Sequence, residues 1–228
     1  MNKIMNYFYR LLHREQIFVN DVLSYFKRKD NLIILEAGAA DGSDTLRFSN
    51  LLPKSIIYAF EPVGQNYEIL LKTIEKQTNV ITFKLALSDF NGETWINISN
   101  NIHSSDNIAS SSSLLNPKFH IDTHQHITFD KKEIVDVKTI DSWASENNVK
   151  HIDVMWLDMQ GTEFKTLKAS PNIMKTVKVI YTEVNFVEMY EGCGLYEEYR
   201  DWLFFQSFKL KKKEFRWKEQ GNALFVRE

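Results

Sequence analysis

Glycine and acidic residues are grouped where two apolar segments of the sequence end. The run Glu36-Ala37-Gly38-Ala39-Ala40-Asp41-Gly42 follows the apolar residues 32–35, and Glu61 ends a second apolar run, 56–60. The two glycines can adopt backbone angles closed to other residues and let a ligand approach the main chain, while the alanines keep the turn narrow. Glu61 lies about 20 residues further on, where nucleotide-binding folds place a carboxylate for ribose hydroxyls. The pattern predicts a nucleotide-type site.

The charge of this turn narrows the choice of ligand. It contains Glu36 and Asp41, and the first basic residue after it is Arg47. Such a turn repels a pyrophosphate and suits a cationic ligand. S-adenosylmethionine (SAM) fits, because its sulfonium and ammonium groups are positive and its ribose needs a paired acceptor. A nicotinamide-dependent oxidoreductase and a cofactor-binding protein without catalysis are the alternatives.

A second group of polar residues follows two later apolar runs. Asp158 comes after residues 153–157, and Glu183 and Asn185 end the run that begins at Val177. Asp158 and Glu183 are the predicted catalytic carboxylates, with Asp158 accepting or orienting the proton of an acceptor hydroxyl. Asp158 could instead cap the following helix. Three oxygen ligands could also hold a divalent cation, but they equally suit hydrogen bonds to a sugar, so no metal is assigned.

Residues 99–131 interrupt the regular pattern. They include four consecutive serines, Ser110 to Ser113, and the histidines His120, His124 and His126. A long polar stretch in a compact domain is usually functional or disordered, so we expect a substrate or lid loop. Histidines four residues apart on a helix could bind a transition metal, but no helix is predicted here. The sequence therefore favours a polar substrate loop over a metal site.

Strand-like and helix-like segments alternate from residue 31 onward, which is typical of a parallel sheet covered on both faces. The predicted strands are Leu32–Glu36, Ile56–Phe60, Val80–Leu87, Glu93–Ile98, Glu133–Lys138, Asp153–Leu157 and Val177–Glu183. The predicted helices are Ser43–Leu52, Gln65–Lys76, Thr139–Glu146, Glu163–Lys168 and Leu195–Phe205. Phe208–Phe215 and Ala223–Arg227 are expected to form a C-terminal antiparallel hairpin.

Length and composition indicate one domain with an N-terminal helical extension, residues 1–30. The chain has 228 residues and a formal charge of −2, so no overall positive charge favours nucleic acid. Its single cysteine, Cys193, excludes an intrachain disulfide and favours a cytoplasmic location. No integral membrane segment is predicted. The apolar face of the N-terminal helix would pack on the domain itself or on a second subunit in a homodimer.

Several landmarks together resemble the FkbM-type SAM-dependent methyltransferases over residues 31 to 210. Besides the glycine turn, they are Phe60-Glu61-Pro62, Ala86-Leu87-Ser88-Asp89, Thr139-Ile140-Asp141 and Asp158-Met159-Gln160-Gly161-Thr162-Glu163. This chain has Ala40-Asp41-Gly42 where the family more often has Asn-x-Gly, and Gln160 where the family more often has an acid.

The resemblance implies a Rossmann-like, seven-stranded class I methyltransferase fold and methylation of a hydroxyl on a sugar or glycosylated small molecule. It also implies that Glu36, Gly38 and Gly42 surround the methionine part of SAM, Glu61 the ribose, and Ser88 and Asp89 the adenine. Pro62, beside Glu61, belongs to the same predicted site. Asp89 could alternatively serve only the turn before Asn91 and Gly92.

Overall fold

The computed structural model describes residues 19–27, 31–103, 108–215 and 218–228. Most of the predicted extension over residues 1–30 thus lies outside the described residues. The part that is described contains a helix at residues 19–24, α1, whose Val19 and Val22 are buried in the same apolar cluster as Ile34. In the described ranges, no helix combines the length and apolar character needed to cross a membrane.

The described residues contain ten strands and seven further helices. The strands are β1 (Ile33–Ala37), β2 (Ile56–Phe60), β3 (Val80–Phe83), β4 (Ala86–Leu87), β5 (Gly92–Asn101), β6 (Ile127–Lys138), β7 (Val154–Leu157), β8 (Val179–Asn185), β9 (Phe208–Glu214) and β10 (Gln220–Arg227). The helices are α2 (Ser43–Leu51), α3 (Gly64–Thr73), α4 (Phe119–Thr123), α5 (Ile140–Glu146), α6 (Glu163–Lys168), α7 (Pro171–Met174) and α8 (Tyr196–Phe205).

Seven strands form the main sheet in the order β3, β2, β1, β7, β8, β10, β9. The first five are parallel, and β10 runs antiparallel to both β8 and β9. The predicted Rossmann-like seven-stranded fold with a C-terminal antiparallel hairpin is therefore confirmed. The strand order reverses between β1 and β7, and ligands of open α/β sheets bind outside the carboxyl ends of the strands at such a point.

Successive side chains of a strand point to opposite faces of the sheet, and here both faces carry apolar side chains that helices cover. Leu35, Met155 and Ile180 pack with α5, α6, α7 and α8 on one face. Their neighbours Ile34, Val154 and Val179 pack with α1 and α2 on the other. Side chains buried on both faces explain why these strands read as nearly continuous apolar runs.

The predicted single strand Val80–Leu87 is wrong. Strand β3 ends at Phe83, and Ala86 and Leu87 form β4, which leaves the main sheet and pairs with β6. The alternating pattern runs through the break without a glycine or proline, so no local signal marks it. The break comes from pairing with β6, which is distant in sequence.

The prediction of one continuous loop over residues 99–131 is also wrong. Strands β5 and β6 extend into it from both sides, and with β4 they form a second, three-stranded sheet. Helix α4 lies between them. The polar composition misled the prediction because hydrogen bonds supply the order. Asn97 and Ser113 exchange backbone hydrogen bonds, and the Asn97 side-chain amide donates to Leu115 O at 2.9 Å.

Candidate functional site

The turn after β1 and the turn after β7 touch each other at the point where strand order reverses. Gly38 has a φ of 85°, and a Cβ atom at this position would lie 1.8 Å from the backbone oxygen of Asp158. The Asp158 N–H in turn donates to Ala37 O at 2.9 Å. Only glycine fits such a close approach with a positive φ. The two turns that carry the predicted cofactor and catalytic residues are thus joined directly.

A cavity opens beside these two turns and, with the solvent space at its mouth, holds about 650 Å³ of empty volume. The predicted site residues in its wall are Gly38, Ala40, Glu61, Pro62 and Asp158. Sequence reasoning missed its apolar wall and its cover, which consist of Val63, Leu85, Ala86, Leu87, Ile96, Ala109 and Leu114.

Glu61 holds the cavity wall together from its place at the end of β2. Its carboxylate accepts hydrogen bonds from Ala40 N at 2.8 Å, Val63 N at 2.9 Å and Asn66 Nδ2 at 3.3 Å. Burial raises its pKa to about 7 against the opposing effect of these donors. A carboxylate with two oxygens has lone pairs left for a ligand hydroxyl. Glu61 is thus both a structural acceptor and a candidate ligand group.

The backbone N–H groups of the glycine turn are already used within the protein. Gly38 N and Ala39 N both donate to Phe60 O, at 3.0 and 2.9 Å, and Ala40 N donates to Glu61. Pyrophosphate-binding turns instead direct such N–H groups at the ligand. The turn is therefore poorly suited to the pyrophosphate of a nicotinamide dinucleotide.

Several predicted cofactor-binding residues of this turn lie outside the cavity wall. Glu36 is 2% exposed and accepts a hydrogen bond from Thr45 Oγ1 at 2.6 Å, and burial raises its pKa to about 8. Ala39 is buried. The Asp41 carboxylate accepts from Ser43 N at 3.0 Å at the start of α2, and Gly42 precedes that helix with a φ of 80°. In this structure these residues shape the turn.

Ser88 and Asp89, the predicted adenine ligands, also lie beyond the cavity wall. Ser88 Oγ donates to Asp89 Oδ1 at 3.0 Å, and Lys165 Nζ lies 3.2 Å from the same carboxylate oxygen. Although burial raises the pKa of Asp89, its hydrogen bond and ion pair with Lys165 outweigh this and hold the pKa below its usual value. The cavity is lined instead by the residues just before them, Leu85 to Leu87.

Three carboxylates meet near the carboxyl ends of β7 and β8, and of the three Asp158 is the one that lines the cavity. Oxygens of Asp158, Glu163 and Glu183 lie within 4.8 Å of one another. Burial raises the pKa of Glu163 to about 7 and that of Glu183 well above its usual value, and nearby Asp158 raises both further. Glu163 already accepts hydrogen bonds from Met159 N and Gly161 N. Asn185, the third oxygen ligand expected from the sequence, is buried at the end of β8.

Gln160 connects this carboxylate group to the rest of the site. Its side-chain nitrogen donates to Asp158 Oδ1 at 2.5 Å and to Glu183 Oε2 at 3.4 Å. Its side-chain oxygen lies 2.9 Å from the hydroxyl of Tyr190, which is also 2.9 Å from Ser111 O. The sequence marked Gln160 only as an unusual amide, while Tyr190 carried no signal. Together they orient the two carboxylates.

Residues 108–115, which we call the strap, run over the cavity. At one end Asn66 exchanges two hydrogen bonds with the backbone of Ala109, at 3.0 and 3.3 Å. At the other end Ser113 Oγ donates to Gln160 O at 2.7 Å. The same Asn66 side chain donates to Glu61. The strap is therefore tied to both the predicted cofactor acid and the predicted catalytic turn.

Comparison with known proteins shows which sequences this chain resembles. The profile of the methyltransferase FkbM domain matches residues 36–216. The 2-O-methyltransferase NoeI of Sinorhizobium fredii (strain NBRC 101917 / NGR234) is 32% identical over 164 residues, which are 72% of this chain and 68% of that protein.

Solved structures are similar in fold. Magnesium protoporphyrin IX methyltransferase (ChlM) from Synechocystis PCC 6803, with bound SAM, has a TM-score of 0.51 at 7% identity, over 100% of this chain and 86% of that chain. The Methanococcus jannaschii fibrillarin pre-rRNA processing protein has a TM-score of 0.53 at 13% identity, over 89% and 70%. Because the domain profile covers most of the sequence, the chain belongs to the FkbM methyltransferase family.

Proposed function

We propose that this protein transfers a methyl group from SAM to a hydroxyl of a sugar or a glycosylated small molecule. The observation that carries the proposal is the convergence of Gly38, Glu61 and Asp158 on one cavity where the strand order reverses. Family membership supports methyl transfer. The 2-O-methyltransferase activity in the name of the 32% identical relative supports a hydroxyl acceptor.

The residues of the cavity fit SAM better than a dinucleotide. Glu61 offers carboxylate oxygens for ribose hydroxyls, and Val63, Leu87 and Ile96 offer an apolar surface for a base. Asp158 adds a second carboxylate next to Gly38, which favours a cationic ligand. The turn N–H groups that a pyrophosphate would need donate within the protein. When bound, SAM supplies a methyl group activated by the adjacent sulfonium.

Asp158 is the residue that we assign to the acceptor. It is exposed at the edge of the cavity, where it can accept a hydrogen bond and then the proton from an acceptor hydroxyl. Glu183 is the less suitable base, because it is less exposed than Asp158 and because burial and nearby Asp158 raise its pKa well above the usual value. The Gln160 amide donates a hydrogen bond to Asp158 and thereby fixes the orientation of the Asp158 carboxylate.

The strap supplies the polar surface for the acceptor and excludes water from the site. Ser110 and Ser112 line the cavity with hydroxyls that can bond to a sugar. Closure over bound ligands commonly sequesters a reacting group from solvent. We further propose that the strap tightens when the cofactor binds at Glu61, because Asn66 forms hydrogen bonds with both Glu61 and the strap residue Ala109. A homodimer and a cytoplasmic location stay predictions.

The direct test is calorimetric titration of the full chain with S-adenosylhomocysteine and, separately, with NAD. We expect S-adenosylhomocysteine to bind and NAD not to bind. A chain that binds NAD and not S-adenosylhomocysteine would contradict the proposal. Incubation with labelled SAM and a panel of neutral oligosaccharides then tests the acceptor class by label incorporation.

A further inference from the structure

The hydroxyl of Tyr190 lies where three segments meet: the strap, the turn after β7 and the loop between β8 and α8. It is 2.9 Å from Ser111 O in the strap and 2.9 Å from Gln160 Oε1 in the turn that carries Asp158. Tyr190 is only 1% exposed and lies outside the cavity wall. Any effect of this side chain on a ligand in the cavity therefore passes through its neighbours.

The Tyr190 hydroxyl is a hydrogen-bond donor and not an acid or a base. Burial raises its pKa well above the usual value, and the nearby Glu183 and Asp158 raise it further, so the phenol keeps its proton at neutral pH. Ser111 O and Gln160 Oε1 are oxygens that can only accept. The hydroxyl thus shares one proton between the strap and the Gln160 amide.

This contact sets the orientation of the Gln160 amide. With its oxygen toward Tyr190, the amide directs its NH₂ group at Asp158 and Glu183. The reversed amide would instead place its oxygen against the two carboxyl groups that now accept its N–H bonds. Gln160 also has a φ of 54°, an uncommon conformation that persists where the surroundings enforce it. The Tyr190 hydroxyl is part of that enforcement.

The same turn is held from two sides. Ser113 Oγ of the strap donates to Gln160 O at 2.7 Å. On the other side, a Cβ atom at Gly161 would lie 2.9 Å from the Cβ of Cys193 and 3.3 Å from the Tyr190 ring. The turn is therefore packed between the strap and the loop that carries Tyr190, and displacement of the strap breaks contacts to both the backbone and the side chain that orient Asp158.

We propose that Tyr190 is a positioning residue for methyl transfer, which joins the seated strap to the amide that orients Asp158. The carboxylate is then aligned with the acceptor only while the strap covers the cavity, so that the proton is accepted in a closed site. This inference rests on the proposed function. It extends that function by making closure of the strap a condition for the reaction and not only a barrier to water.

The test compares Tyr190→Phe with wild type and with the control Tyr199→Phe. Tyr199 is similarly buried, has its hydroxyl 3.4 Å from Thr182 Oγ1 and lies outside the cavity wall. Tyr190→Phe should lower turnover by roughly 10- to 100-fold, the cost of a small misplacement of a reacting group, and leave the KM for SAM within about twofold. Tyr199→Phe should keep both within about twofold. Gln160→Met, which removes the amide, should reproduce the loss and serves if Tyr190→Phe does not fold.

A second comparison in the Asp158→Asn background separates positioning from general damage to the fold. If Tyr190 acts through the Asp158 carboxylate, Tyr190→Phe should cost less than about threefold there, because the group that it orients is gone. A further loss as large as that in the wild-type background would overturn the proposed role.

Cleavage of the strap by subtilisin gives a readout that does not depend on activity. It should be faster in Tyr190→Phe than in wild type or Tyr199→Phe, because the strap loses the donor to Ser111 O. Equal cleavage in the three proteins, or equal turnover in Tyr190→Phe and wild type, would also overturn the inference. A wild type that methylates no sugar acceptor would instead contradict the proposed function, and strap cleavage then still decides whether Tyr190 holds the strap.

Discussion

Replacing Glu61 with glutamine changes one acceptor at the centre of the proposed cofactor site. The Glu61 carboxylate accepts three N–H groups, from Ala40, Val63 and Asn66. Glutamine keeps the shape and one carbonyl oxygen, but its NH₂ group must face one of these donors. The variant therefore removes the negative charge offered to the ribose and leaves one buried N–H without an acceptor.

The expected magnitudes follow from these contacts. A hydrogen bond to a charged group is worth about 1.5–3 kcal/mol, so S-adenosylhomocysteine should bind about 10- to 150-fold more weakly to Glu61→Gln. The unpaired N–H should lower the free energy of unfolding by about 1–3 kcal/mol. Glu36→Gln is the matched control. Glu36 is equally buried, lies outside the cavity wall and has a pKa of about 8, so more of it than of Glu61 is protonated at pH 7.

Calorimetric titration measures the affinity, and urea unfolding at pH 7 measures the stability. Glu36→Gln should bind within about twofold of wild type, because sites without shared partners are coupled by only about 0.3–0.5 kcal/mol. Unchanged affinity in a folded Glu61→Gln variant would refute the assignment of Glu61 to the ribose. Equal losses of affinity in both variants would refute the conclusion that Glu61 lies in the cofactor site whereas Glu36 only shapes the turn.

Three further predictions concern the turn, its acids and the strap. Gly38→Ala should lower the free energy of unfolding by about 2–5 kcal/mol, measured in urea, because of the left-handed backbone strain and the clash with Asp158 O. In the control Gly192→Ala the residue has a φ of 70° and no atom near the added Cβ, so only the strain of about 1–2 kcal/mol should be lost. Equal losses in the two variants would contradict the clash. Folded Glu36 keeps a proton that the unfolded chain loses above its usual pKa of 4.5, so the free energy of unfolding should fall as pH rises from about 5 to 8. Glu36→Gln should reduce this slope by about 1.4 kcal/mol per pH unit. A wild-type free energy of unfolding that rises over this range would contradict the raised pKa. Proteolysis within the strap should slow when S-adenosylhomocysteine is added, and identical cleavage rates would argue against closure of the strap.

The main sheet could be predicted because its strands are buried on both faces. Val154–Leu157 is apolar throughout, Ile33–Ala37 is apolar except for Glu36, and both alternate with helical segments, so the parallel core needed no long-range information. The second sheet could not be predicted in the same way. Strands β5 and β6 are half polar, and their pairing extends to Asn101 and Ile127 through contacts between residues far apart in sequence.

The site residues that the sequence could predict are those whose position at the end of a strand is visible in the local sequence. Gly38, Glu61 and Asp158 follow strand ends, and the topology brings strand ends together. Asn66 and Tyr190 were missed, and Gln160 was noted only as an amide where the family more often has an acid, because the importance of these residues comes from partners distant in sequence. The helix carrying His120 was missed because it has only five residues and depends on contacts with Met189.

The most direct test of the central claim is methyl transfer by Asp158→Asn. The rate of label transfer from SAM to a sugar acceptor is compared with wild type, and S-adenosylhomocysteine binding is measured on the same protein. If Asp158 orients and deprotonates the acceptor, turnover should fall by roughly 10² or more while cofactor affinity and fold are kept. Transfer at the wild-type rate by the folded variant would contradict the account.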